Sequence, residues 1–563
     1  MTNKRRRSFL RTAAAAGVIG AAGCLGDDGN GEERDRPLLE EGEEDEYEQI
    51  DTIDLMTFTR DFAPLRFQSV SLVRDAWQEL GLEVQLEARE LGSLFDDYRG
   101  QTYDATNMWF STGADRADPT FFVDIFRPQY ADPGGQNAAG WVNEEYEEVA
   151  ANALSTIDQE EQREYVHDAQ EILAEELPVL WMYHRYPLNV VNTTLFTGWT
   201  AHVGNQPFWT LDNLMNLEPQ TDQRTVVQAA DTGSEITSNM NPMGVDGAAD
   251  RLTARMIWDR LLRTDAEGLP VPWAATDWDV VDNRTVDVTL REGMNFHDGE
   301  PVSPEDVVFT FEYMDEWDQG FYEPWYSNVD DIEVDGNVLR FNLEDPDASF
   351  IGDDLTRMPI LPQHIWDGVV EREGIEHPDE WVDGIDRTGS GPFIFRAYES
   401  GDRIAYELNE DHFMADEFDI DGLIWRIYGT ETTGVADVES GEAAYYEAMQ
   451  PDNFERASDH DDVEGIPSTS YGWSGIFFNT TREPFDDVVF RQALANVVDK
   501  ERMVELSFDG FADVATSPIA PSNEFFYNPD IPTHDGGLER ADELLSDAGY
   551  RWDEDGNLHR PLG

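Results

Sequence analysis

The stretch "WFSTGADRADPTFFVDIF", residues 109–126, holds two carboxylates three positions apart, Asp115 and Asp118, with Arg116 between them. Asp118 directly before Pro119 fits an N-cap followed by proline at the first helical position. Asp115 either shares that capping task or is available to a ligand. A carboxylate held in a closed cleft is a good partner for a cation. Such a desolvated pair is little screened by salt, and truncating one member costs about 2–5 kcal/mol. Arg116 would weaken that case if it neutralised Asp115. The strand ahead of the two aspartates, starting at Trp109, offers main-chain hydrogen bonds to an extended peptide.

Other reactive constellations are missing from the text. There is no H-E-x-x-H, no G-x-S-x-G and no phosphate loop. The histidines lack metal-ligand spacing, so no metal and no cofactor is expected. Asp553-Glu554-Asp555-Gly556 begins like a calcium loop but lacks the later ligands, and reads as a hairpin turn. Cys24 is the only cysteine, which excludes an intrachain disulfide. The reading is a binding protein, not an enzyme.

Strands and helices must position these residues. "IDLMTFT" alternates like a strand, residues 65–80 carry apolar positions at helical spacing, and "LEVQLEA" alternates again. "YDATNMWF" and "VLWMYH" read as strands; "YEEVAANAL" and "QREYVHDAQEILAEEL" read as helices, the second stopped at Pro178. Alternation of this kind implies an α/β fold. "EPQTDQ", residues 218–223, reads as a short polar linker to a second body that begins "RTVVQAADTG".

The charge is extreme, with 118 acidic against 38 basic residues, a net charge of −80 and only two lysines, Lys4 and Lys500. Aromatic residues at 12% argue against a disordered acidic chain. The composition suits a salt-adapted, haloarchaeon-like source, where the Debye length falls to ~3 Å or less. That screening removes long-range steering of cations, and the sign of the charge excludes nucleic acid as a partner.

"KRRRSFLRTAAAAGVIGAAGCLG" is a targeting segment. Arg6-Arg7-Ser8-Phe9-Leu10 resembles a twin-arginine export motif, and Ala21-Ala22-Gly23-Cys24 resembles a lipobox that would make Cys24 the lipid attachment site. Residues 1–26 are read as the export signal and 27–49 as an acidic tether holding the body at the outer face of the cytoplasmic membrane.

"MNFHDGEPVSPEDVVFTFEYM" (294–314), "GSGPFIFRAYESGDRIAYELNEDHF" (389–413) and "FFNTTREPFDDVVFRQALANVVDKERM" (477–503) come in the order of one known family. They resemble the family 5 extracellular solute-binding proteins, the peptide, dipeptide and nickel receptors of ABC importers. The resemblance implies a two-lobed periplasmic-binding-protein-like α/β fold with two crossover hinge strands, and a monomer that delivers a peptide-like solute to ABC permease subunits. Pieces that close the family's sequence stand here at residues 50–217, ahead of its beginning. The chain therefore resembles a circularly permuted receptor: residues 50–183 as the first part of the C-lobe, 184–470 as the N-lobe and 471–563 as the second part of the C-lobe, with crossings near 183–190 and 471–476. The terminal "AGYRWDEDGNLHRPLG" then needs a strand from the stretch leading into "IDLMTFT". The rival reading is a rearranged fragment or sensor that docks on a partner chain.

The resemblance also suggests site residues. The position matching the family's D-x-x-[DE]-P pattern is Asp115, implied as the acceptor of the ligand's α-ammonium. Tyr471 and Trp473 fall where the chain should cross. Asn239, Met240 and Asn241 fall in a loop that faces the cleft in the family. Each of these five types more often serves packing or turn chemistry. An oligosaccharide is the alternative cargo, because the chain has 16 tryptophans and sugar faces stack on aromatics.

Overall fold

Residues 36–562 are described by the computed structural model, apart from 44, 112, 114–115, 205–210, 232–239, 246–253, 267, 383 and 448. Two mixed sheets organise them. The six-stranded sheet has the order Ala512–Val514, Val179–Arg185, Ser474–Phe478, Ala105–Trp109, Ile53–Phe58, Val84–Arg89. Ser474–Phe478 comes late in the chain yet lies between two early strands, antiparallel to both. All five of its residues are buried, as a central strand requires.

The seven-stranded sheet runs Phe393–Glu399, Arg403–Leu408, Gly422–Tyr428, Thr225–Asp231, Tyr445–Tyr446, Leu188–Asn192, Val463–Pro467. Each sheet has its own apolar core: one drawn from residues 50–183 and 473–558, the other mainly from residues between 157 and 466. Among the described residues the chain passes from one sheet to the other twice. It leaves Val179–Arg185 for Leu188–Asn192, and returns from Val463–Pro467 to Ser474–Phe478.

Local chemistry sets the helices that flank the first sheet. Helix Gln159–Glu176 starts at Asp158, whose carboxylate accepts the Glu161 N–H at 3.0 Å, and stops at Leu177, held at φ 47° before Pro178. Helix Pro64–Gln78 opens with proline and buries Val70, Val73 and Trp77. The Trp77 indole donates to the Leu494 carbonyl at 3.1 Å, tying an early helix to a late one, Val488–Asn496. Arg491 does the same: it donates to the carbonyls of Glu176, Leu177 and Phe485 at 2.6–3.0 Å.

The terminal hairpin is Arg551–Trp552 against Leu558–Pro561, and Tyr47–Gln49 adds an antiparallel third strand in the register Tyr47↔Pro561, Gln49↔His559. Leu38 also bridges to Trp552, and the Leu39 N–H donates to the Trp552 carbonyl at 2.8 Å. Two expectations change here. The hairpin is complete within the C-terminal segment, and the early chain supplies its third strand, not its second. Leu38, Leu39 and Tyr47–Gln49 therefore pair with the fold where a free tether was expected; an edge strand with one polar face leaves little trace in an acidic text. Gly81 lets the hairpin close: it has φ +89°, and a Cβ there would stand 2.1 Å from the Gly556 carbonyl oxygen.

The expected linker 218–223 is also ordered at its start. Glu218–Pro219 pairs with Phe196–Thr197, and the Gln220 N–H donates to the Leu195 carbonyl at 2.8 Å. No helix among the described residues is long and apolar enough to cross a membrane.

Candidate functional site

The returning passage between the sheets is built around Gly472. A Cβ at that position would lie 2.1 Å from the Ser111 carbonyl oxygen and 2.4 Å from that of Phe110, so only glycine lets the two segments touch. The Phe110 N–H donates to the Trp473 carbonyl at 2.9 Å, which extends the ladder that pairs Ser474 with Trp109. At the outgoing passage, His184 Nδ1 shares a 3.0 Å hydrogen bond with the Gly472 carbonyl. Burial pushes the His184 imidazole down to about 4, so it is neutral in ordinary solution and serves as a strut.

A cavity of about 320 Å³ opens beside these two passages. Its walls come from the first turn of helix Pro64–Gln78, the end of strand Ala105–Trp109, Tyr183 and Arg185, and the 472–474 crossing, with Pro187 and Gln450 closing it from the second sheet's side. The Trp109 ring forms one wall, meeting Phe58 edge-on at 4.8 Å and carrying the Arg66 guanidinium 4.0 Å above its face. Trp473 lines another part. It packs on Phe110 at 4.6 Å and Trp181 at 4.7 Å, and its indole N–H meets no protein acceptor among the described residues.

A second, smaller cavity of about 80 Å³ lies along the seam where Ala117 and Asp118 face Gly268 and Asp353. Tyr471 belongs there: a Cβ on Gly268 would fall 2.6 Å from the Tyr471 hydroxyl and 2.7 Å from Ala117 Cβ. Asp118 accepts hydrogen bonds from the Thr120 N–H, at 2.8 Å, and from the Thr120 hydroxyl. It caps the turn as its position suggests, although the helix begins at Thr120 with Pro119 as N-cap. Burial, then the Asp353 charge, pushes the Asp118 carboxyl up to about 7. Burial, then the charges of Asp347 and Asp353, raises Asp354 next door as well, and Arg357 pairs with Asp353.

The predicted site residues thus separate. Trp109 and Trp473 border the larger cavity, and Tyr471 borders the seam. Met240 lies fully buried in the second core, where it receives the Tyr406 hydroxyl on its sulfur at 3.6 Å. Asn241 is also fully buried, and its amide is spent on the loop: it donates to the carbonyls of Pro378, Asp379 and Trp381 at 2.9–3.3 Å and accepts the Met243 N–H. Both are corrected to packing and turn roles. Asp115, Asn239 and Cys24 lie outside the described residues. Three cavity residues went unnoticed in the sequence: Arg66, Tyr183 and Arg185. The available signal was a rare basic residue in an apolar setting, in "FAPLRF" and "VLWMYHR".

A family model for bacterial extracellular solute-binding proteins, family 5 Middle, matches residues 270–562, more than half of the chain. The chain belongs to this family, which is one of binding proteins and not of enzymes. The oligopeptide-binding protein AppA of Bacillus subtilis is 27% identical over 268 residues, 47% of this chain and 48% of its own. Di/tripeptide-binding protein 1 of Pseudomonas aeruginosa is 26% identical over 351 residues, 58% of this chain and 64% of its own. The chain therefore spans between about half and just under two thirds of these relatives' lengths. Among solved structures, AppA from Bacillus subtilis in complex with a nonapeptide aligns at TM-score 0.42 with 22% identity, covering 60% of this chain and 68% of that one. NikZ from Campylobacter jejuni in complex with Ni(L-His) aligns at TM-score 0.45 with 20% identity, covering 60% and 66%.

Proposed function

We propose that this protein is an exported receptor that traps a peptide-like solute between its two sheet-centred bodies and delivers it to an ABC permease. The observation that carries the reading is the cavity of about 320 Å³ set between two bodies that, among the described residues, the chain joins by two passages. Interdomain clefts are the usual place for a small-molecule site, and a pair of short passages is a workable hinge. Family membership supports solute binding, and AppA and the di/tripeptide-binding protein favour a peptide.

On this reading the chain is circularly permuted. Residues 50–183 and 471–563 make the C-lobe, 184–470 the N-lobe, and residues 218–223 join the family's usual end to its usual beginning. The third strand at Tyr47–Gln49, the central strand Ser474–Phe478 and the Arg491 contacts support it, since each joins the two outer pieces. Cys24 would carry the lipid anchor after twin-arginine export, and the receptor would work as a monomer in concentrated salt.

Asp115 is proposed as the partner of the peptide's α-ammonium. The aromatic walls at Trp109 and Trp473 favour one second reading, an oligosaccharide. Calorimetric titration of Asp115→Ala separates the two. Peptide affinity should fall by the roughly 2–5 kcal/mol of a broken buried pair, and sugar affinity should not change. Retained peptide affinity would remove Asp115 from the site.

A further inference from the structure

We infer that the larger cavity holds a subsite for a doubly charged oxyanion group, gripped by Arg66 and Arg185 around the Tyr183 hydroxyl, so that the cargo is an acidic solute. The inference rests on the receptor reading only in taking this cavity as the place where cargo sits.

In a chain with 118 acidic residues, arginines should find carboxylates easily. Among the described residues neither Arg66 nor Arg185 forms an ion pair. Arg66 lies on the Trp109 ring at 4.0 Å, and Arg185 only grazes the Met449 carbonyl at 3.5 Å. The Glu431 carboxylate, whose charge reaches Arg185, is instead held by the Asn453 amide at 2.7 Å and the Gln450 N–H at 3.3 Å. Among the described residues, two guanidiniums therefore border one cavity with no carboxylate in ion-pair contact with either. Burying unpaired charge is costly, and the arrangement makes sense when an occupant brings the missing charge.

Hydrogen-bonding capacity points the same way. Tyr183 is 1% exposed, lines the cavity, and its hydroxyl meets no protein partner among the described residues. It lies near enough to both guanidiniums to act electrostatically on each. Burial lowers the Arg66 guanidinium to about 10, with the Arg185 charge adding a smaller push in the same direction. The first turn of helix Pro64–Gln78 also borders the space. That turn has no side-chain cap and no acidic residue, and helix N-termini favour anions. Two cations, a free phenol and an uncapped helix start complement a group of charge −2: a paired dicarboxylate, such as an acidic residue at a peptide's C-terminus, or a phosphoryl group.

The test uses the full chain in concentrated KCl, titrated calorimetrically with four small aromatic probes: phthalate, phenyl phosphate, benzoate and benzamide. One dianion should bind at least about tenfold tighter than benzoate, since each added charge-assisted contact contributes on the order of one such factor. Its identity assigns the carboxylate or the phosphate source. In Arg66→Gln/Arg185→Gln that dianion should lose about 10- to 100-fold in affinity while benzamide is unchanged. The double variant should still melt cooperatively, since it breaks no ion pair and loses only the Arg66 contact with the Trp109 ring and the Arg185 contact with the Met449 carbonyl. A dianion no tighter than benzoate, no dianion binding at all (chloride then suffices), or a folded double variant that keeps its dianion affinity would each overturn the proposal. Phthalate binding without any response to peptides would leave this site standing and remove the peptide reading.

Discussion

Asp118 sits beside Asp353 across the seam between the two bodies, so close that a Cβ built on Gly352 would lie 3.1 Å from Asp118 Oδ2. The seam thus holds a carboxyl group in a dry place next to a like charge. Its affinity for a proton rises from the ordinary 3.8 to about 7. A raised carboxyl pKa contributes stability that is fully present below the ordinary value and is lost as pH rises through the raised one. Melting midpoints should therefore decline as pH goes from about 4 to above 7. Asp118→Asn, which keeps an acceptor for Thr120, should make that slope shallower, leaving the part due to Asp354, whose carboxyl burial also raises. Equal slopes in the two proteins would show that Asp118 is not the group concerned.

Gly472→Ala should destabilise the protein by about 1–3 kcal/mol, because a methyl group has to displace two backbone carbonyls. Denaturant unfolding in concentrated salt measures this. A neutral substitution would mean that the crossing is looser than the contacts with Phe110 and Ser111 imply.

The hairpin at the chain's end depends on chain from its beginning. Trp552 is 1% exposed and donates its indole N–H to the Leu80 carbonyl at 2.7 Å. Trp552→Ala should cost about 3–5 kcal/mol, and removal of residues 36–49 should lower the melting midpoint by stripping the hairpin's third strand. An unchanged midpoint after that removal would mean the Tyr47–Gln49 strand adds no stability.

Arg491→Met tests the join between the two outer chain pieces. It leaves the carbonyls of Glu176, Leu177 and Phe485 without their buried donor. At about 1–3 kcal/mol for a buried group left unsatisfied, the loss should be measurable by denaturant unfolding and should appear in one cooperative transition. An unchanged unfolding midpoint in Arg491→Met would mean that these contacts do not tie residues 471–563 to residues 50–183.

Local patterns carried far in this sequence. Asp158 and Pro178 mark the helix Gln159–Glu176, and Asp118 marks its short turn, because caps act over three residues. That "AGYRWDEDGNLHRPLG" pairs with a strand from before Ile53 was legible in part: the strand is there, but as the third of the sheet and not as the hairpin's missing second. What stayed hidden depends on distance along the chain. Asn241 reads as a cleft amide until residues 378–381 supply carbonyls that consume it. Arg66, Tyr183 and Arg185 are unremarkable in their own segments and gain meaning only when residues 64–66, 183–185, 450 and 472–474 converge on one cavity.

The central claim is that the two bodies close on a peptide-like solute. Thermal melting of residues 27–563 in concentrated KCl, with pooled di- and oligopeptides and pooled oligosaccharides in parallel, tests it most directly. A ligand at about 100 times its dissociation constant stabilises the folded form by about 2.7 kcal/mol. The account predicts one cooperative transition that the peptide pool moves upward and the sugar pool leaves in place. A broad transition moved by neither pool would contradict it, and the chain would then be read as a piece that requires a partner.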